Sequence, residues 1–432
     1  MSNNLTAGGH PAGRSGAFAS LHTPNYRRYF AAQLASLVGT WMQGIALPWL
    51  VYEQTGAGST LGVVVAVQSA PVLLLAPYGG VVVDRIDTRR LLMLTQAAQG
   101  GLALVLGVLT LAGAVRIWMI VPIALGSGLA QAFDNPARQS IVMELVGPAD
   151  LRNAISLNSV TINVARAVGP AIAAGVIATV GVGDCFLANA ASFGCVIFVL
   201  ATLNRAAMRT VEPQPRGRGQ LRLGLAYVRR TPQLYTPLIM MALVGTLSYN
   251  YPVTLLLLAR QSFHGGATTY SALTIALGSG AVVSGLAVAA RAKTGLAACA
   301  LATAEYGATT LLAAFAPNLP VELFALFISG LGYVAFNSIG NSTLQLACEP
   351  AMRGRVMGLW SVAFQGSTVI GSPVAGFVGQ ELGARWALAL GGLAALAATA
   401  VCVVSARLAA VRPARTAAAL AEVSGIGEQE HA

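Results

Sequence analysis

Charge is what this sequence has least of. Only 9% of its 432 residues are Asp, Glu, Lys or Arg, against 56% apolar residues and a mean hydropathy of +0.69. Soluble globular chains carry about 25% charged residues, so a soluble enzyme or a disordered chain is excluded. Lysine is nearly missing: Lys293 is the only one, and Ala292 rather than glycine precedes it, which removes a Walker-type ATP cradle. His10, His22, His264 and His431 are scattered, with neither HExxH nor Cys/His spacing, so the usual zinc sites are absent. Cys185, Cys195, Cys299, Cys348 and Cys402 form no CxxC, and four of them fall in or beside apolar runs, where cysteine acts as a small apolar residue. No cofactor and no metal are expected. The first 28 residues lack the apolar core of a cleavable signal peptide, so the N-terminus is expected to stay in the cytoplasm.

What the chain has is long apolar runs. A helix crosses a bilayer core of ~30 Å with ~20 apolar residues, and twelve such spans would use most of the apolar content. Runs bounded by polar residues or Pro/Gly occur at about 29–52, 59–83, 91–114, 117–133, 156–180 and 186–203, and again at 237–259, 270–290, 295–316, 321–345, 356–380 and 385–406. The pattern is six plus six. Basic residues test it independently, because short cytoplasmic loops carry the Arg and Lys excess. With both termini inside, 22 of the 26 basic residues fall on the cytoplasmic side; Arg116, Arg260 and Arg385 fall outside, and Arg166 lies within a span. The net charge of +11 therefore reads as topology rather than as a nucleic-acid surface, and no nucleic-acid partner is expected.

The expected organisation is a cytoplasmic segment at 1–28, a six-helix bundle at 29–203, a basic linker at 204–236, a second bundle at 237–406 and a disordered cytoplasmic tail at 407–432. The linker carries seven arginines with Pro213, Pro215 and Pro232, and suits contact with anionic lipid. The halves look duplicated. PADLRNAISLNSVTINVARAVGPAIAAGV from Pro148 aligns with PAMRGRVMGLWSVAFQGSTVIGSPVAGFV from Pro350, placing Gly169 on Gly371, and Arg89 falls on Arg291 at the same offset. Repeats of this kind place a substrate site near the membrane midplane and work by alternating access.

The segment APYGGVVVDRIDTRRLL, residues 76–92, resembles the major facilitator superfamily loop signature G-x-L-x-D-R-x-G-R-R, with Gly80, Asp84, Arg85 and Arg89 in place and Arg90 just beyond. Val82, Asp87 and Thr88 depart from it. The D-R-x-D form, AFDNPARQS at 132–140, the segment from Asn158 to Pro170 and RGRVMGLW at 353–360 resemble the branch of enterobactin-exporter-like permeases and transmembrane secretion effectors, over about residues 25–405. The resemblance implies an all-α polytopic membrane protein with twelve transmembrane helices in two six-helix pseudo-repeats. It also implies a cytoplasmic latch of Gly80, Asp84, Arg85, Arg89 and Arg90, with Asp134 and Arg138 as partners and Glu144 as a further one. Simple orientation would need basic residues but no Asp84.

The fifth run holds Gly169 and Pro170 among small residues, a pattern for close helix packing that resembles the superfamily's antiporter signature, although alanines stand at Ala165, Ala173 and Ala174 where that signature has glycine. Arg166 and Glu305 are the charges placed well inside runs. Each needs a partner or a wet cavity. Ser159, Asn163, Arg166 and Pro170 share one helical face, read as inward. Glu305, in a span that is peripheral in this superfamily, is the candidate carboxyl for proton coupling or, alternatively, a silent structural residue. Candidate cavity residues, on helices that face the midplane in the superfamily, are Trp41, Gln43, Gln68, Gln131, Asn163, Tyr249, Asn250, Asn337, Asn341 and Gln365. Each amide could equally serve as an interhelical hydrogen bond. The expected activity is secondary export of a small amphipathic molecule such as a drug, siderophore or secondary metabolite by proton antiport; an importer or lipid-moving permease is the alternative. The expected partners are a small-molecule substrate, protons and membrane lipids. A monomer in a bacterial cell membrane is expected.

Overall fold

The computed structural model describes residues 18–83, 86–204, 208, 225, 227–229, 231–291, 294–349 and 352–429. Every regular element among them is helical. The helices are α1 (Pro24–Thr55), α2 (Gly58–Val83), α3 (Thr88–Leu111), α4 (Ile117–Gly147), α5 (Asp150–Thr179), α6 (Val182–Thr202), α7 (Pro232–Ser248), α8 (Tyr251–Leu257), α9 (Ala267–Arg291), α10 (Leu296–Ala314), α11 (Leu319–Ala347), α12 (Arg353–Glu381) and α13 (Ala384–Gln429). Eleven spans among the described residues are long and apolar enough to cross a membrane, α7 and α8 forming one of them. The twelfth expected span, α12, is a 29-residue helix, about 43 Å at 1.5 Å per residue and so long enough to cross a membrane, but its Gly, Ser and Gln make it less apolar than the other eleven.

The polar residues that close the fourth apolar run do not end its helix. α4 continues through Asp134 and Arg138 to Gly147, because those side chains pair with one another and with α3 instead of facing lipid. The α4–α5 junction falls at Gly147, whose φ of 72° and ψ of 178° are open to glycine alone. Elsewhere side chains start helices: Asp87 Oδ1 accepts from the Arg90 amide at 2.9 Å to cap α3, and Asn318 Oδ1 accepts from Val321 N at 3.1 Å to cap α11.

The chain divides into two compact units. One holds the residues up to Leu47 with Leu74–Arg216; the other holds Pro48–Leu73 with the chain from Gly217 onward. The core of the first gathers Tyr26, Tyr29, Ala137, Ile141, Leu145, Ala154, Val196 and Leu200. The core of the second gathers Met240, Met241, Val244, Tyr306, Phe336, Trp360 and Ala398. The C-terminal end of α1 and the N-terminal part of α2 belong to the second unit because α2 meets α12 through small residues: Gly62 abuts Ser372 and Pro373, and Gly58 abuts Gly376. The small residues that cost α12 hydropathy are thus what its packing uses.

The duplication is visible in the packing of each unit. Gly169 of α5 lies against Trp41 and Met42 of α1, and the aligned Gly371 of α12 lies against Thr246 of α7. Two further points differ from the reading of the sequence. The C-terminal end of the basic linker is docked, with Val228 only 3% exposed in the second core and the Tyr227 hydroxyl accepting from Glu349 N at 3.3 Å. α13 continues to Gln429 through the stretch expected to lack structure, an alanine-rich sequence of high helix propensity.

Candidate transport site

Near the start of α3, Arg89 is buried and donates from Nε to the Leu200 carbonyl and from Nη2 to the Ala201 carbonyl at 2.7 Å. It satisfies the last turn of α6, where a cation also suits the helix dipole. Arg90 is exposed. Gly80 lies in α2, while Asp84 and Arg85 fall outside the described residues. Asp134, 2% exposed, accepts from Thr95 Oγ1 at 2.8 Å and Gln96 Nε2 at 2.7 Å and pairs with Arg138 one turn along α4. The structure therefore gathers Asp134 and Arg138 into one buried polar knot with α3 and places Arg89 on the end of α6.

In the middle of the first unit, α5 crosses α1 at Gly169, where an added Cβ would lie 2.5 Å from Trp41 Cβ. This crossing places Arg166, one turn earlier, with its guanidinium carbon 5.1 Å from the centroid of the Trp41 ring. Such a contact contributes about 0.5–2 kcal/mol, while an arginine at mid-span costs about 2.5–3.5 kcal/mol. Pro170 is buried, and Asn163 Nδ2 donates to Ser159 O within α5 at 2.9 Å. Gln43 accepts from Asn189 Nδ2 at 2.6 Å, an interhelical bond between α1 and α6; Gln131 is half-buried on α4.

The second unit carries an aromatic cluster at a broken span. α7 ends at Ser248 and α8 begins at Tyr251, with Pro252 unable to donate to the preceding turn. Asn250 Nδ2 donates to the Thr246 carbonyl at 2.7 Å, and its Oδ1 accepts from Ser372 Oγ at 3.0 Å. Asn250 is fully buried, so it braces the break and offers no free amide to a cavity. Tyr249 packs edge-on against Tyr333 (4.5 Å between centroids), Phe364 (5.8 Å) and Tyr306 (5.9 Å), and the Tyr251 and Tyr306 hydroxyls are hydrogen-bonded. Glu305, half-buried, lays its carboxylate against Gly332 of α11, and its Oε1 is buried with no hydrogen-bond partner. Gln68 and Asn337 are half-buried and Gln365 is exposed; Asn341 accepts from Gln345 Nε2 at 2.6 Å.

Arg166 and Glu305 are not the only charges inside spans. Besides Asp134 and Arg138, Glu322 of α11 is 0% exposed with neither carboxylate oxygen hydrogen-bonded, and Arg385 is the charge that acts on it. Arg385 donates to the Ala316 carbonyl at 2.8 Å beyond the end of α10. Arg260 stacks over Trp49 at 5.0 Å and Tyr52 at 5.9 Å. The signals were present as Glu322 four residues after the capping Asn318 and as aromatics near a span end, but their partners are distant in sequence.

The profile of the transmembrane secretion effector family matches residues 15–422. The chain belongs to that family. As a transmembrane secretion effector of the major facilitator superfamily it is a multi-pass cell-membrane transporter with a small-molecule substrate. It is 27% identical over 363 residues to the multidrug efflux pump Tap of Mycolicibacterium fortuitum, covering 82% of this chain and 88% of that one. To the enterobactin exporter EntS of Citrobacter koseri it is 25% identical, covering 83% and 86%. To the staphyloferrin A transporter of Staphylococcus aureus it is 29% identical over 44% of this chain, spanning about half (48%) of that protein. In fold it matches the nucleoside transporter NupG (TM-score 0.67, 11% identity, 88% of this chain and 98% of that one). It also matches a bacterial homologue of the iron transporter ferroportin (TM-score 0.69, 15% identity, 88% and 98%).

Proposed function

We propose that this secretion effector exports a small amphipathic molecule in exchange for protons, by alternating access. The observation that carries the reading is similarity, along more than four-fifths of both chains, to a multidrug efflux pump. The half-buried aromatic faces of Tyr251, Tyr333 and Phe364 support an amphipathic substrate, since they supply area while the Tyr249, Tyr251 and Tyr306 hydroxyls are already engaged. Glu305 supports proton coupling: a carboxyl within a span, with one oxygen unpartnered, can take up and release a proton. Asp84, Arg85 and Arg89 are proposed as the cytoplasmic latch, Arg89 by fixing the α3–α6 frame on which the loop rides. Both termini are proposed to be cytoplasmic and the protein to act as a monomer.

Everted membrane vesicles with an acid interior and a pH-sensitive dye test this. Adding a panel of amphipathic compounds is expected to release protons only when the protein is present, and Glu305→Gln is expected to uncouple that release while leaving substrate exchange. Compound uptake without proton release from folded, inserted protein would instead indicate a uniporter or importer.

A further inference from the structure

Arg166 has five N–H donors and no acceptor to receive them. It donates no hydrogen bond to any described residue, its Nε is buried without a partner, and the ion pair between Asp134 and Arg138 is the only one among the described residues. It cannot reach a membrane surface, because it lies in the middle of α5, a helix of 30 residues, and is held there by the α5–α1 crossing at Gly169. Its one ring contact is with Trp41, 5.1 Å from the guanidinium carbon to the ring centroid, and that contact engages none of its N–H donors in a hydrogen bond. Asn163, one turn earlier on α5, donates to the Ser159 carbonyl, and Gln43 of α1 accepts from Asn189; neither receives a hydrogen bond from Arg166. The first unit thus presents at mid-span a half-buried cation with no anion paired to it among the described residues.

We infer that Arg166 receives a carboxylate of the transported molecule, so that the substrate class is amphipathic organic anions. This rests on the transport reading above and narrows it. A planar guanidinium fork matches a carboxylate through two parallel hydrogen bonds, and the contact with the Trp41 ring helps hold the guanidinium at mid-span. An amphipathic cation would meet Arg166 as a like charge.

A matched trio of probes with one apolar body tests the class: 4-(1-pyrenyl)butyrate, the corresponding butanol and the corresponding butylamine, binding to the purified full-length protein, read by fluorescence anisotropy. The butyrate is expected to bind at least tenfold tighter than the alcohol and the amine to bind weakest. Arg166→Gln is expected to bring butyrate and alcohol to equal affinity with the alcohol unchanged, and Arg166→Lys to keep part of the preference. Equal binding of the three probes to the unmodified protein, tightest binding by the amine, no binding by any, or a preference for butyrate that survives Arg166→Gln would overturn the assignment. The trio on the unmodified protein decides even where a variant does not fold. Binding is read without a gradient, so anion preference with no proton-linked efflux would refute antiport and leave this inference standing.

Discussion

Arg89 of α3 donates through Nη2 to the carbonyl of Ala201 at 2.7 Å, which ties the loop that carries the superfamily signature to the final turn of α6. The residue proposed for the latch thus also caps a helix. Arg89→Ala should therefore lower stability by about 1.5–3 kcal/mol, the worth of hydrogen bonds to a charged group, and reduce the yield of folded protein. Transport per folded molecule should fall far less than in Asp84→Asn, where the proposed latch carboxylate is altered and the thermal midpoint should hold. Thermal unfolding in detergent beside transport in proteoliposomes separates the two; equal behaviour of both variants would remove the distinction.

Gly169 and Gly371 are aligned in sequence and make equivalent crossings, one on α1 and the other on α7. A valine at either must push helix backbones apart, since Trp41 Cβ and Met42 N crowd the first site and the Thr246 carbonyl crowds the second. Each variant should cost about 1–3 kcal/mol or more in stability, the usual penalty for overpacking. Gly175→Val, with nothing within 4 Å of its added Cβ, should be close to neutral. A thermal midpoint for Gly169→Val matching that of Gly175→Val would count against the crossing.

These two glycines also mark how far the sequence could be read. Apolar runs and arginine asymmetry located the spans, because both report on the bilayer, a partner every residue of a span shares. The repeat was legible because it aligned Gly169 with Gly371. The pairing of buried polar groups was not. Asp134 closes the fourth apolar run in the sequence, yet Thr95 and Gln96, distant in sequence, satisfy it inside the helix. For Asn250 the sequence leaves open a cavity ligand or an interhelical hydrogen bond, and Thr246 and Ser372 take both ends of its amide. An amide or carboxylate in an apolar run announces that it has a partner without saying where.

Asp134→Asn keeps the shape of the side chain but removes the charge that Arg138 faces, leaving a mostly buried guanidinium uncompensated. Breaking a buried pair from one side costs about 3–5 kcal/mol. The expected outcome is a strongly lowered thermal midpoint, partly restored in Asp134→Asn with Arg138→Gln, because the second change removes the stranded charge. No restoration would mean that Thr95 and Gln96, rather than Arg138, are what the Asp134 carboxylate serves.

Glu322 and Arg385 allow the same logic where no hydrogen bond joins the carboxylate to anything. Glu322 is fully buried in α11 with both oxygens unpartnered, and Arg385 at the start of α13 is the charge that acts on it while donating to the Ala316 carbonyl. Arg385→Gln should be destabilising by about 1.5–3 kcal/mol, since it removes a charged donor to that carbonyl, and by more if Glu322 relies on its charge. Glu322→Gln should be milder, because a neutral amide loses little when the charge beside it is already engaged by backbone. If the two charges stabilise each other, the double variant should be less damaging than the sum of the singles, with a coupling energy of about 0.5–3 kcal/mol by thermal unfolding. Strict additivity would assign Arg385 to the backbone carbonyls and Phe263 alone, leaving Glu322 a buried carboxyl with no counter-charge.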